Sequence, residues 1–162
     1  MYEHILLAVA LQHGEIPSPH ALAARDAAVA LAKGAGAKLS VLTVYSYDAF
    51  VPPDLSLEEQ GRYRQSQIYQ TDAQMRAKMG ALFAGSCGAE LPITTRFLTG
   101  KPGPVIVAAS ERLGVDLIII GTHSKRHMLD VLLGGTAAYV SRHALCPVMF
   151  AQPSKPQWFL GG

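Results

Sequence analysis

A chain of 162 residues with a formal net charge of +2 and a sequence pI near 8.6 can bury one core without disulfides or metals. That charge is too mild to argue for nucleic acid, and no basic run or interleaved aromatic pattern appears. Apolar residues make up 49% and charged ones 16%, below the roughly 25% charged residues usual in soluble domains, which points to a sheet covered on both faces or to a surface covered by a partner.

No apolar run approaches the roughly 18 residues of a membrane span. The amino-terminal stretch lacks the basic flank and small-residue cleavage pattern of a leader. The two cysteines, Cys87 and Cys146, have no CxxC spacing. The expectation is a cytoplasmic protein with reduced thiols and no membrane partner.

Residues 5–10 are a continuous aliphatic run, the pattern of a strand buried on both faces. Gly14, Pro17 and Pro19 then mark a loop. Ser18 or His20 starts a helix whose apolar positions Ala21, Leu22, Ala28, Val29 and Ala32 recur at helical spacing until glycines 34 and 36 stop it. Residues 38–46 are β-branched and aliphatic and form a second strand. The chain thus opens with a strand-helix-strand unit, whose strands are parallel and whose crossover is right-handed.

Prolines 52 and 53 punctuate the next loop, after which Ser56 and Glu59 stand in the spacing of a capping box. Ile68, Met75, Met79, Leu82 and Phe83 line one face of the helix that follows, which runs to about residue 84. The methionines read as gap-filling core. Ile93, Thr94, Thr95 and Phe97 mark a third strand over 92–98. Residues 99–104 read as a turn, and 105–113 as a helix with Val105, Ile106, Ala109 and Leu113 inward. Residues 115–120 are the clearest strand in the chain. A long glycine-bounded loop, a short helix over 136–143 and a fifth strand over 147–151 complete the pattern.

Five strands alternating with four helices define an α/β fold. It is a single domain over 1–151 with a doubly wound, mostly parallel five-stranded sheet and helices on both faces, followed by a tail over 152–162. The tail carries Trp158 and Phe159 without a pattern and is expected either to be mobile or to lie against a neighbour. Ligands of such sheets bind beyond the carboxyl ends of the strands, where the strand order reverses.

Several stretches imitate functional motifs and fail on placement. Gly34, Gly36 and Lys38 follow a helix and precede a strand, the reverse of a phosphate loop. Gly100 and Lys101 resemble the end of a P-loop, but Pro102 stands where a hydroxyl should meet magnesium. His123 and His127 stand four apart in a loop, with His13 and His20 also beyond a strand end, and no carboxylate has a ligand spacing. They read as solvated loop histidines, with no metal site.

The informative stretch runs from Gly121 to Thr136. Gly121 permits a tight turn off the fourth strand, Ser124 follows in the loop, and Lys125 and Arg126 offer cationic heads. Gly134 and Gly135 leave backbone amides unobstructed, and Thr136 can cap the helix or donate a hydroxyl. Such an arrangement can cradle phosphates.

At these residues the chain resembles the universal stress protein family. The family's pattern is a glycine, two residues, a second glycine, nine residues, a third glycine and then serine or threonine. Gly121 takes the first place, Ser124 the second, Gly134 the third and Gly135 the hydroxyl position, with Thr136 one residue late. The resemblance continues through Arg142, His143, Cys146, Pro147 and Val148, and through the turn at Gly100 to Pro104, so that it spans the chain to Ala151. It implies a Rossmann-like fold of the adenine nucleotide alpha-hydrolase kind, with an ATP site in the nucleotide-binding members.

Those members carry an aspartate at the end of the first strand that contacts the adenosine moiety, and Ala10 stands there in this chain. Losing such a contact weakens a ligand by about 1–3 kcal/mol, roughly tenfold to a hundredfold.

The expectation is therefore a non-enzymatic, dimeric stress-response module with a degenerate site that binds ATP, with magnesium, weakly or not at all. The alternative is a functional ATP-binding stress protein, with Lys125 or Arg126 compensating charge. A slow ATPase is a distant third, because nothing supplies a recognisable base for activating water. The resemblance also implies a homodimer through the last strand, where Pro147 to Phe150 are apolar enough to form a paired edge. A protein, and not nucleic acid, is the further partner this reading leaves room for.

Overall fold

β1 (His4–Ala8) lies at the centre of a five-stranded sheet of order β3-β2-β1-β4-β5, and every neighbouring pair is parallel. The structure is a computed structural model that describes residues 1–11, 16–47, 51–85, 90–121 and 135–153. β2 (Lys38–Tyr45) flanks β1 on one side and β4 (Leu117–Gly121) on the other, with Ala8 in register with both Leu42 and Ile120. Ile5, Leu6 and Leu7 are fully buried, which is why this segment reads as an unbroken aliphatic run.

The side chains of β1 sort by the two-residue period of a strand. Ile5, Leu7 and Val9 pack with α1 (Pro19–Ala35) and α2 (Leu57–Phe83). Leu6 and Ala8 pack with α3 (Pro102–Leu113) and α4 (Gly135–His143). The chain steps outward from β1 to β2 to β3 (Ile93–Thr99) beneath the first helix pair. It then crosses back to β4 and on to β5 (Val148–Ala151) beneath the second pair. With right-handed crossovers, this reversal places one helix pair on each face.

Helix ends follow local chemistry. Ser18 Oγ accepts from the Ala21 amide at 3.1 Å, and Pro19 takes the first turn. Gly36 closes α1 at φ 65°, the left-handed conformation that costs glycine least, while Gly34 stays within the helix, so this pair ends a helix and is not a phosphate loop. Ser56 and Glu59 form both bonds of the capping box, at 3.3 and 2.8 Å.

Beyond shifts of a residue or two at strand ends, two boundaries and one burial differ from the sequence reading. β1 ends at Ala8, although the Val9 amide still donates to Leu42 O at 3.0 Å. α3 starts at Pro102, three residues before the expected Val105: a proline needs no amide partner in the first turn, and Gly103 lets the helix approach Tyr139. Ile68 does not join the core, because α2 overruns the strands. Its 27 residues span about 40 Å, against about 26 Å for the longest strand, β2. Only Met75, Met79 and Leu82 of α2 are buried. Among the described residues no helix is long and apolar enough to cross a membrane.

Candidate functional site

The strand order reverses between β1 and β4, so their carboxyl ends define the switch point of the sheet. Beyond β1, Val9 and Leu11 turn into the core while Ala10 between them is exposed. The outward position at the end of the central strand therefore carries a methyl group, with no acceptor.

Beside it, β4 ends at Gly121. A Cβ at 121 would lie 2.8 Å from His20 O and 3.4 Å from Ala24 Cβ. Glycine at 121 is thus what lets the first turn of α1 settle on the end of β4. Gly135 and Thr136 open α4, exposed and half-buried respectively, while Ala137 and Val140 anchor that helix in the core. A Cβ at Gly135 would meet nothing within 4 Å, so space does not exclude a hydroxyl residue there.

The parallel sheet makes α1, α3 and α4 all begin at this edge, and none has an acidic residue in its first turn. Lys101, the N-cap of α3, makes no side-chain capping bond. Three helix amino termini with no acidic residue in their first turns give this edge an electropositive rim, suited to an anion. By contrast, α2 carries Glu58 and Glu59 in its first turn.

Of the residues singled out in the sequence, the structure brings Ala10, Gly121, Gly135 and Thr136 to the carboxyl edge. Ser124, Lys125, Arg126 and Gly134 lie outside the described residues, as do His13, His123, His127, Cys87 and the tail beyond Pro153. His20 sits in the first turn of α1.

The sequence reading missed a polar cluster at the end of β2. The Tyr45 and Tyr47 hydroxyls both donate to Asp72 Oδ1 of α2, the Tyr47 bond being 2.9 Å long. The two rings meet edge to face at 5.7 Å. Burial first, and then the Asp72 carboxylate, pushes both phenols above the usual tyrosine value. The two hydroxyl bonds, with help from Arg76, hold Asp72 below the usual carboxylate range. Two neutral phenols and one ionised carboxylate make a fastening between α2 and β2, not an acid-base pair. Only the recurrence of tyrosine at 45 and 47, at and just past the end of a strand that precedes a helix with a lone aspartate, hinted at it in the sequence.

The opposite edge is tied down differently. The Asp116 carboxylate accepts from the Glu3 and His4 amides at 2.8 and 3.2 Å, and the His4 ring bonds Ser40 Oγ at 2.8 Å. Burial, and then Asp116, raises the Cys146 thiol above its usual value, so this cysteine is not an activated thiolate. Thr43 is fully buried in β2, and its Oγ1 has no partner among the described residues.

Comparison with known proteins identifies the architecture. The model of the universal stress protein family matches residues 1–152. A universal stress protein of Methanocaldococcus jannaschii is 30% identical over 118 residues, covering 72% of this chain and 67% of that protein. Among solved structures, the universal stress protein UspA of Lactobacillus plantarum superposes with a TM-score of 0.63 at 24% identity, covering 93% of this chain and 97% of that one. A universal stress protein family member of Arabidopsis thaliana with AMP bound gives a TM-score of 0.53 at 16% identity, covering 94% and 92%.

Proposed function

The chain belongs to the universal stress protein family, and we propose that it is a non-enzymatic, dimeric member whose adenine-nucleotide site keeps its scaffold and binds ATP weakly or not at all. One observation carries the reading: the outward position at the end of β1, beside Gly121 at the switch point, is the methyl group of Ala10. The electropositive rim fits a phosphate tail, and an AMP-bound relative supports an adenine nucleotide as the ligand class. At position 10 the site carries no carboxylate for the adenosine end. Phosphate attraction alone is screened by salt and shared by any polyanion, so it gives neither tightness nor selectivity.

Equilibrium dialysis with labelled ATP and millimolar magnesium tests this. The expected result is no saturable binding tighter than about 1 mM, and a micromolar dissociation constant would overturn it. Magnesium-dependent phosphate release that is lost in a Lys125→Ala, Arg126→Ala variant would contradict the non-enzymatic part.

The dimer in this reading forms through β5, which lies at one edge of the sheet, with Met149 39% exposed and Val148 and Phe150 half-buried. An edge strand of apolar residues is a template for pairing with its own copy. Sedimentation at micromolar concentration should show a dimer, and a lone 17.3 kDa species would refute it. A cytoplasmic location and a protein partner belong to the same proposal.

A further inference from the structure

α2 is longer than the surface it packs on. Met75, Met79 and Leu82 are buried, and Asp72, one turn earlier, is fastened to the end of β2 by Tyr45 and Tyr47. Beyond Asp72 the helix runs back to Leu57, about 22 Å at 1.5 Å per residue, past the carboxyl ends of the strands. The capping box at Ser56 and the Arg62–Glu58 ion pair at 2.8 Å stabilise this overhanging half as helix. Ile68 continues the stripe of Met75 and Met79 at helical spacing, yet it is 39% exposed, and Tyr69 beside it is 77% exposed. A capped helix thus carries its core-facing stripe beyond the core and leaves an apolar turn uncovered.

We propose that this turn receives the chain's own carboxyl-terminal segment, with Trp158 seated against Ile68 and Tyr69. The inference is independent of whether a nucleotide binds. Reach supports the assignment. β5 ends at Ala151 on the carboxyl edge, and α2 lies over the β2–β3 side, where Asp72 meets Tyr45 and Arg76 sits over the Phe97 ring. Between three and four strand spacings of about 4.8 Å and one layer of about 10 Å separate the two, roughly 20 Å in all. Five residues from Pro153 to Trp158 span about 17 Å when extended, and the indole adds several more.

Chemistry supports it as well. Trp158, Phe159 and Leu160 are consecutive, and Lys155 is the sole charged side chain among residues 154–162. Leu57, 87% exposed, lies about 16 Å further out along α2 than Ile68 and is beyond this reach.

Trp158 is the single tryptophan, so its fluorescence in the full chain reports the contact directly. The expected emission lies to the blue of a hydrated indole, is shielded from acrylamide and does not change on dilution. Ile68→Ser should move it to the hydrated position with helical circular dichroism unchanged, and Leu57→Ser should leave it alone. If Ile68→Ser perturbs the fold, Tyr69→Ser carries the same readout at a more exposed position. Three results would overturn the proposal: hydrated emission in the unaltered chain, blue emission indifferent to both Ile68→Ser and Tyr69→Ser, or blue emission lost on dilution, which would place the segment on a second copy.

Discussion

The two ends of this one sheet are built on opposite plans. At the amino end the chain satisfies itself: Asp116 binds two backbone amides of the first strand, His4 bonds Ser40, and the Lys38 amide donates to Glu3 O at 2.9 Å. At the carboxyl end the structure brings together three helix amino termini with no acidic first turn, a glycine that a helix rests on, and an exposed methyl. The first end spends its polar groups on stability, whereas the second gathers helix amino termini. What builds the rim, parallel strands and helix polarity, is the fold itself, so on the proposed reading it persists without a contact at Ala10.

Substitutions at the two ends should separate these roles. The largest effect is expected at Gly121→Val, where the new side chain meets the His20 carbonyl and α1 must lift from β4. Overpacking of this kind costs about 1–3 kcal/mol, with the upper end expected here because the obstacle is backbone. Urea unfolding would measure it, and an unchanged midpoint would show that α1 does not rest on the switch point.

Asp116→Ala removes two hydrogen bonds at the other end and should cost about 1–2 kcal/mol while leaving nucleotide affinity as it was. A change in affinity would mean that the two ends are coupled. Thr43→Val should go the other way, gaining up to about 1 kcal/mol by replacing a buried hydroxyl that has no partner among the described residues.

The smallest effect concerns pH. The folded-state values of Tyr45 and Tyr47 are raised, so their contribution to stability is complete below the ordinary tyrosine value of about 10 and declines as pH rises above it, where unfolded tyrosines ionise first. Stability measured from pH 9 upward should fall more steeply than in Tyr45→Phe. Equal slopes would remove the Asp72 cluster as the cause.

Strands β1, β2 and β4 were legible because burial on both faces demands nearly uninterrupted apolar runs. The helix ends were legible because Ser18, Ser56 with Glu59, and Gly36 act within a turn of where they stand. What escaped depends on contacts distant in sequence. The Tyr45 and Tyr47 bonds to Asp72 join residues 27 and 25 apart, and no periodicity encodes them. The stripe through Ile68 was read correctly as a helix face, but the sequence does not say where the sheet beneath it stops. Proline and glycine at 102 and 103 looked like a turn, although at the start of a helix the same residues fit, the glycine because Tyr139 lies against it. In the site, Gly121 and Ala10 were legible as positions. That Gly121 is held by the first turn of α1 was not, since the contact is with a backbone carbonyl.

The central claim is that the carboxyl end has kept a nucleotide scaffold and lost its adenosine contact at Ala10. The most direct test compares ATP binding by the unaltered chain and by Ala10→Asp in the same magnesium-containing dialysis. Ala10 is exposed, so the substitution should be tolerated. The expected result is a gain of about tenfold to a hundredfold in affinity, the worth of about 1–3 kcal/mol from one restored acceptor. Tight binding by the unaltered chain, with no gain from Ala10→Asp, would contradict the account.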